Sequence, residues 1–345
     1  MLAPLADSSF VYTNGDNDTF PLWYIQQVEG VRKDVRVVNL SLLNTDWYIF
    51  QLRDQQPKVP ITLDDATIRL AGQGAFQDEA GNVIYTNQFL VKHIIAQDRR
   101  EGGWKKQPYF AVTVPDHNGF DKNFSLEGLV YRVNPDTLGP EVDEPATRKA
   151  MYDTFKYRGL FYRDGTWDST VYKDENAATL SRNYAAAHLQ LAFLYEKQAQ
   201  LPKAIQELER VERMFPGYVD VLVPLGKFYI DAGDTMRAER LFERLIARAP
   251  NNSEAHYYYG VTLMFTGQGG RALGQLERAI ELDRNNFYAY MAAYSVLFES
   301  GQKERGLTYL ERWVSLHPED SETRALLDGH RRGTIPLDAP LLPKR

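Results

Sequence analysis

Cysteine is absent from all 345 residues. That excludes disulfides, thiolate metal sites and cysteine nucleophiles together. It leaves the compartment open, because a cysteine-free chain survives oxidising and reducing surroundings alike. An excess of basic charge is also missing. The 46 acidic residues outnumber 40 basic ones, for a net charge of −6. Neutralising phosphates needs a basic face, so nucleic acid is not an expected partner. No apolar run reaches the roughly 18 residues of a membrane-spanning helix. The start, Met1 to Leu5, has neither the basic stretch nor the long apolar segment of a signal peptide. Two expectations follow: a cytoplasmic protein, or a piece of a longer one.

The common catalytic patterns are lacking too. The six histidines are His93, His117, His188, His256, His317 and His330, and none stands at metal-ligand spacing from another. His188 and His256 share a position in the repeat described below, which favours packing. No serine sits in a G-x-S-x-G context. There is no phosphate-binding glycine loop, since Gly72-Gln73-Gly74-Ala75 stops short of one. Asp174-Glu175 and Glu207/Glu209 read as solvated faces or caps. No catalytic residue, metal ligand set or cofactor is assigned.

What the chain does contain is a period. Ala199, Gly233, Gly267 and Gly301 recur every 34 residues, as do Ala204, Ala238, Ala272 and Gly306. Pro216, Pro250, Arg284 and Pro318 form a third series, broken once. This is the tetratricopeptide period, a pair of antiparallel helices stacked on the next pair. The units run over residues 185–218, 219–252, 253–286 and 287–320. Position 8 of each wants a small side chain against the partner helix. Ala192, Gly226 and Gly260 comply, whereas Tyr294 is too large and is expected at a loosened edge. Tyr195, Tyr229, Leu263 and Leu297 are plugs at position 11; Leu208, Phe242, Leu276 and Leu310 are plugs at position 24. A cap is expected from Leu316 to His330, with Asp320 or Ser321 starting its helix and Leu326 and Leu327 turned inward.

Residues 1–140 read as an α/β domain. Phe10 to Tyr12 and Val35 to Leu40 are apolar strand runs, and between them Asp18 or Thr19 can cap a helix that carries Pro21 in its first turn. Strand, helix, strand in that order predicts a parallel pair. A helix is expected near 44–52 and another over 87–100. Ile61 to Leu70 alternates imperfectly and reads as the start of a small sheet, with Val83 to Tyr85 leaving a hairpin. Tyr109 to Val114 is a strand that the stretch Leu126 to Val133 can pair with. Proline and acidic residues over 134–145 mark a linker, and residues 141–184 as a whole read as linker and docking helices. Residues 185–320 hold the repeats and 321–345 a capping helix and tail. The fold class is thus an α/β domain followed by an all-α solenoid.

Two places carry candidate binding residues. Positions 2, 5, 9 and 12 of each first helix face the hollow of a solenoid, and here they include Lys227, Tyr257, Met264, Tyr288, Met291 and Phe298. Aromatic rings and thioethers make an adaptable apolar surface, so a protein or peptide is the expected partner. The lysine–asparagine grip for a C-terminal carboxylate is missing, because Leu189, Phe193 and Val223 stand in its places. The second place is Asn14, Asp16, Asn17 and Asp18, between a strand and a helix, where α/β folds gather ligands. The carboxylates can hold a hard cation, but the spacing departs from the twelve-residue calcium loop. A tight turn with a helix cap explains the same residues.

Several segments resemble a known family. They are Phe10–Tyr24 (FVYTNGDNDTFPLWY), Gln27–Arg32, Asp34–Tyr48, Pro108–Pro115, Leu126–Arg132, Asp174–Asn176 and Asn183-Tyr184. The resemblance is to the soluble C-terminal half of bacterial multi-span membrane proteins, long called a domain of unknown function. That family is similar to protein O-mannosyltransferases, and some members carry tetratricopeptide repeats. It covers residues 10 to about 184 and continues into the repeats. The resemblance implies a non-catalytic domain at the periplasmic face of the inner membrane, attached to the membrane part of a lipid-sugar-dependent glycosyltransferase. It would present an acceptor polypeptide or bind a partner subunit. Asp16, Asn17 and Asp18 match the family's acidic motif. The rival expectations are a metal- or sugar-binding enzyme domain using the Asp16/Asp18 loop, and a free cytoplasmic scaffold.

Overall fold

A computed structural model describes residues 1–77 and 81–333, which divide into two units at residues 194/195. The first unit is built on a five-stranded sheet. Strand β1 (Phe10–Thr13) leads through helix α1 (Asp16–Gln27) to β2 (Arg36–Asn39). The two strands pair in parallel, Phe10 opposite Arg36. Their residues are almost wholly buried, as expected of continuous apolar runs covered on both faces. Helix α1 buries Asp18, Thr19, Leu22 and Gln26, which share one face at helical spacing.

Helix α2 (Asp46–Asp54) follows β2, and α3 (Asp65–Ala71) follows α2. The segment Ile61 to Leu70 is therefore not the start of a sheet. Asp64 accepts from the Thr67 N–H at 2.7 Å and caps α3, which buries Ile68 and Ala71 three residues apart. The cap and that spacing outweigh a broken alternation. A small hairpin joins β3 (Ala75–Gln77) to β4 (Val83–Tyr85) and runs into α4 (Thr86–Asp98), which buries Leu90, Val91, Ile94 and Ile95. The pair β5 (Arg99–Arg100) and β6 (Gly103–Trp104) precedes β7 (Pro108–Ala111). Strand β7 pairs in parallel with β1. The hairpin of β8 (Phe124–Leu126) and β9 (Val130–Val133) completes the order β2-β1-β7-β9-β8, with β9 antiparallel to β7.

Residues 134–145 lie against this hairpin. Val142 is buried and bridges Leu126, and Asp143 caps α5 (Glu144–Arg148). Further on, the rings of Phe155, Tyr157 and Phe161 surround Tyr184, and Trp167 packs on Phe161. Helices α6 (Glu175–Ser181) and α7 (Asn183–Lys197) follow, the latter crossing the boundary between units.

The second unit consists of helices in register. They are α8 (Leu201–Met214), α9 (Val219–Asp231), α10 (Thr235–Arg248), α11 (Ser253–Phe265), α12 (Gly269–Leu282), α13 (Phe287–Glu299), α14 (Lys303–Leu316) and α15 (Ser321–Arg331). First helices begin at 219, 253, 287 and 321, second helices at 201, 235, 269 and 303, so both series step by 34. The first series of the period marks helix ends. Ala199, Gly233, Gly267 and Gly301 all have positive φ, between 57° and 79°. The next residue's N–H then reaches back to Tyr195, Tyr229, Leu263 and Leu297, each at 2.8 Å. This is the Schellman closure.

Close approach explains the small residues. A Cβ on Gly226 would sit 2.2 Å from the Phe242 ring, and one on Gly260 2.7 Å from Leu276. Tyr294 does not lie at a loosened edge; it is fully buried. The exchange is complementary, because Gly306 replaces the alanine of the facing helix and a Cβ there would come 3.2 Å from the Tyr294 carbonyl. The Tyr294 hydroxyl is 3.0 Å from His330 Nε2 of α15. Asp320 caps α15 through the Thr323 N–H at 2.9 Å, Leu327 is buried and Leu326 half-buried.

Candidate functional site

The first helices of neighbouring repeats pack directly on one another, α9 on α11 and α11 on α13, which makes theirs the inner face of the stack. On that face Tyr257 and Met264 are half-buried, and Tyr288 is 59% exposed. The rings of Tyr257 and Tyr288 lie 6.3 Å apart, one on each of two successive repeats. Tyr258 stacks on Phe242 beside them, with centroids 6.2 Å apart. Ile230, Met264 and Phe298, spaced 34 apart, form a half-buried apolar row at position 12. The ring pair and this row form a ladder that steps with the repeat.

Not every expected groove residue is at the surface. Met291 is only 5% exposed, held among the helices it was expected to overhang. Position 5 is equally buried in α9, at Val223. Lys227 is committed to Glu196 at 2.8 Å. Phe298 lies against Tyr294 and His330, with Lys303 Nζ 5.3 Å from its ring. The open part of the face therefore centres on Tyr257, Met264 and Tyr288.

A second ladder was not expected. Glu209, Glu243, Glu277 and Glu311 stand 34 apart, and each takes a partner from a later helix. Glu209 accepts from Tyr229 at 2.9 Å and pairs with Arg237 at 2.7 Å. Glu243 accepts from Tyr259 at 2.9 Å and pairs with Arg271 at 3.3 Å. Glu277 accepts from Tyr309 at 2.5 Å, and Glu311 meets Arg331. Burial first, then the neighbouring carboxylate, pushes the phenol of Tyr309 up to about 12 and those of Tyr229 and Tyr259 higher still. These tyrosines stay protonated donors at any physiological pH. Glu209 is thus a staple between repeats rather than a solvated face. Its own recurrence at 34 was the available signal.

The Asn14–Asp18 segment is loop only at Asn14 and Gly15. Asp16, Asn17 and Asp18 form the first turn of α1, and Gly15 is its N-cap. Asp18 is buried. Its carboxylate accepts from the Asn14 and Gly15 N–H groups at 2.8 and 3.0 Å, and from the Thr113 hydroxyl beyond β7. Below it the Thr13 and Thr19 hydroxyls meet at 2.7 Å, and Asn39 donates to Thr19 at 3.0 Å. Ser41 donates to the Asn14 carbonyl at 3.0 Å. The acidic residue that capping chemistry favours at a helix start thereby ties the ends of β1 and β7 together, and Thr19 beside it reaches β2 through Asn39. Asp16 and Asn17 are exposed. Among the described residues no three His, Asp or Glu side chains gather to hold a metal ion. No described helix is long and apolar enough to cross a membrane.

Comparison with known proteins bears on both units. A tetratricopeptide family model matches residues 197–258 and 229–293. The second unit carries tetratricopeptide repeats. A family model described as TMEM260-associated domain 2 matches residues 1–75. Solved structures similar to the repeats include the MamA protein, 21% identical over 44% of this chain and 83% of that one, TM-score 0.38. A tetratricopeptide repeat protein from Parabacteroides merdae is 18% identical over 44% of this chain and 60% of its own, TM-score 0.38. YrrB, described as having an unusual peptide-binding site, is 20% identical over 46% of this chain and 79% of its own, TM-score 0.37. No curated protein matches the chain. The repeat fold is typically non-catalytic and commonly binds peptides or proteins, which indicates an interaction scaffold.

Proposed function

We propose that the repeats bind an extended polypeptide along their inner face, and that the chain serves a membrane-embedded, lipid-sugar-dependent glycosyltransferase by presenting its acceptor. The observation that carries the binding role is the Tyr257–Tyr288 ring pair, which spans two repeats and leaves Tyr288 open to a ligand. Tyrosine supplies large contact area at a small cost in side-chain entropy. Support for the glycosyltransferase context is the resemblance of residues 10–184 to the extracytoplasmic halves of such enzymes, together with the match of residues 1–75 to a TMEM260-associated domain. In this reading the chain faces the periplasm beside the membrane part of its parent protein. The metal- or sugar-binding reading of the Asp16/Asp18 turn is less favoured, because both oxygens of Asp18 already accept hydrogen bonds within the fold.

Titration of the whole chain with unfolded secretory polypeptides tests the proposal. Saturable binding, weakened about tenfold by Tyr257→Ala with Tyr288→Ala, is the expected result. Indifference of binding to both substitutions, or no binding to any acceptor, would overturn it.

A further inference from the structure

The first unit holds a cleft of about 510 Å³ between the end of α1, the start of β2 and α2. Two indoles line it. Trp47 is 55% exposed, and Trp23 and Trp47 flank Tyr48 at 6.2 and 5.5 Å between ring centroids. The side-chain amides of Gln51 and Gln55 also line it and have no hydrogen-bond partner among the described residues. Lys33 and Arg36 are the charged residues of the lining, and no carboxylate among the described residues joins them. Half-buried Arg36 donates only to the main-chain carbonyls of Gln51 and Gln56, at 3.4 and 3.5 Å. In a chain of net charge −6 this is a local cationic spot without a counter-ion.

We propose that this cleft binds an acidic saccharide, an oligosaccharide carrying a uronic or sialic acid. The C–H faces of a sugar ring suit the negative faces of indoles. Hydroxyls both donate and accept, as do free amides. A carboxylate suits the planar fork of an arginine that lacks an acidic partner. A nucleoside diphosphate fits less well than a single carboxylate, because the C-terminal turns of α1 and α2 border the cleft and oppose each added negative charge, while Lys33 and Arg36 are the cations of the lining. The inference does not rest on the repeat-groove reading.

The test is an array of neutral, uronic-acid and sialic-acid glycans probed with the whole chain. Tryptophan-fluorescence titrations with trigalacturonate, neutral trigalactose and ADP follow. Acidic glycans should bind, and trigalacturonate should quench saturably, about tenfold more tightly than trigalactose. Arg36→Gln should remove that preference. Trp47→Ala should abolish binding with an unchanged melting temperature, since Trp47 is largely exposed. Three results would overturn the proposal: no acidic glycan retained on the array, saturable binding of ADP instead, or affinities untouched by both substitutions.

Discussion

Three single residues show how local chemistry is spent in this fold. Asp18 is the buried hinge of the β1–α1 turn. Its replacement by alanine leaves the Asn14 and Gly15 N–H groups without acceptors, so Asp18→Ala should cost about 2 kcal/mol in urea unfolding. Exposed Asp16→Asn should stay within about 0.5 kcal/mol. Ala199 takes a left-handed conformation, φ 57°, that its repeat partners fill with glycine. Ala199→Gly should therefore stabilise by about 1 kcal/mol, read as a rise in the unfolding midpoint. Glu127, buried in the turn between β8 and β9, is pushed up to about 7 by burial, only partly offset by Arg132 Nε at 3.9 Å. A carboxyl whose folded value lies above its unfolded one binds more protons when folded. Its contribution is favourable at low pH and is lost as pH rises through about 7. Glu127→Gln should thus leave stability unchanged near pH 4 and raise it at pH 8, as measured by denaturant titration at both values.

At the scale of elements, register comes from sizes and charges that recur together. Gly226 exists for the Phe242 ring, 2.2 Å from where a Cβ would stand. Gly226→Ala should destabilise by about 1–3 kcal/mol through overpacking, checked by thermal unfolding. The last repeat meets the same demand in reverse, with Tyr294 opposite Gly306. That swap was half legible: Gly306 stood in the alanine series and Tyr294 in the glycine series, but single positions do not reveal that two departures face each other. The segment Ile61–Leu70 shows the opposite failing. Its alternation pointed to a strand, and the Asp64 cap with Ile68 and Ala71 on one face made it a helix. The glutamates at 209, 243, 277 and 311 repeat as regularly as the alanines. Their role emerged only when each was seen to meet a tyrosine or arginine from a later helix.

At the scale of the whole molecule, the last described helix is α15, which begins 34 residues after α13 and so stands in register as a first helix. It covers Tyr294 through His330 and buries Leu327. Removing residues 321–345 should expose that face. The shortened chain should melt several degrees lower and bind a hydrophobic dye, with ellipticity and dye fluorescence as the readouts. The sequence by itself determined the solenoid and its period, because a helix pair must meet the same steric demands at every turn of the stack. It also determined the parallel β1–α1–β2 unit, since apolar runs and turn residues are local signals. Only the tertiary structure decided which groove residues are open. It sank Met291, tied Lys227 to Glu196 and paired Tyr257 with Tyr288. It also brought Trp23, Trp47 and Arg36 around one cleft. Exposure and side-chain partnership depend on what packs alongside, and residues distant in the chain supply those neighbours.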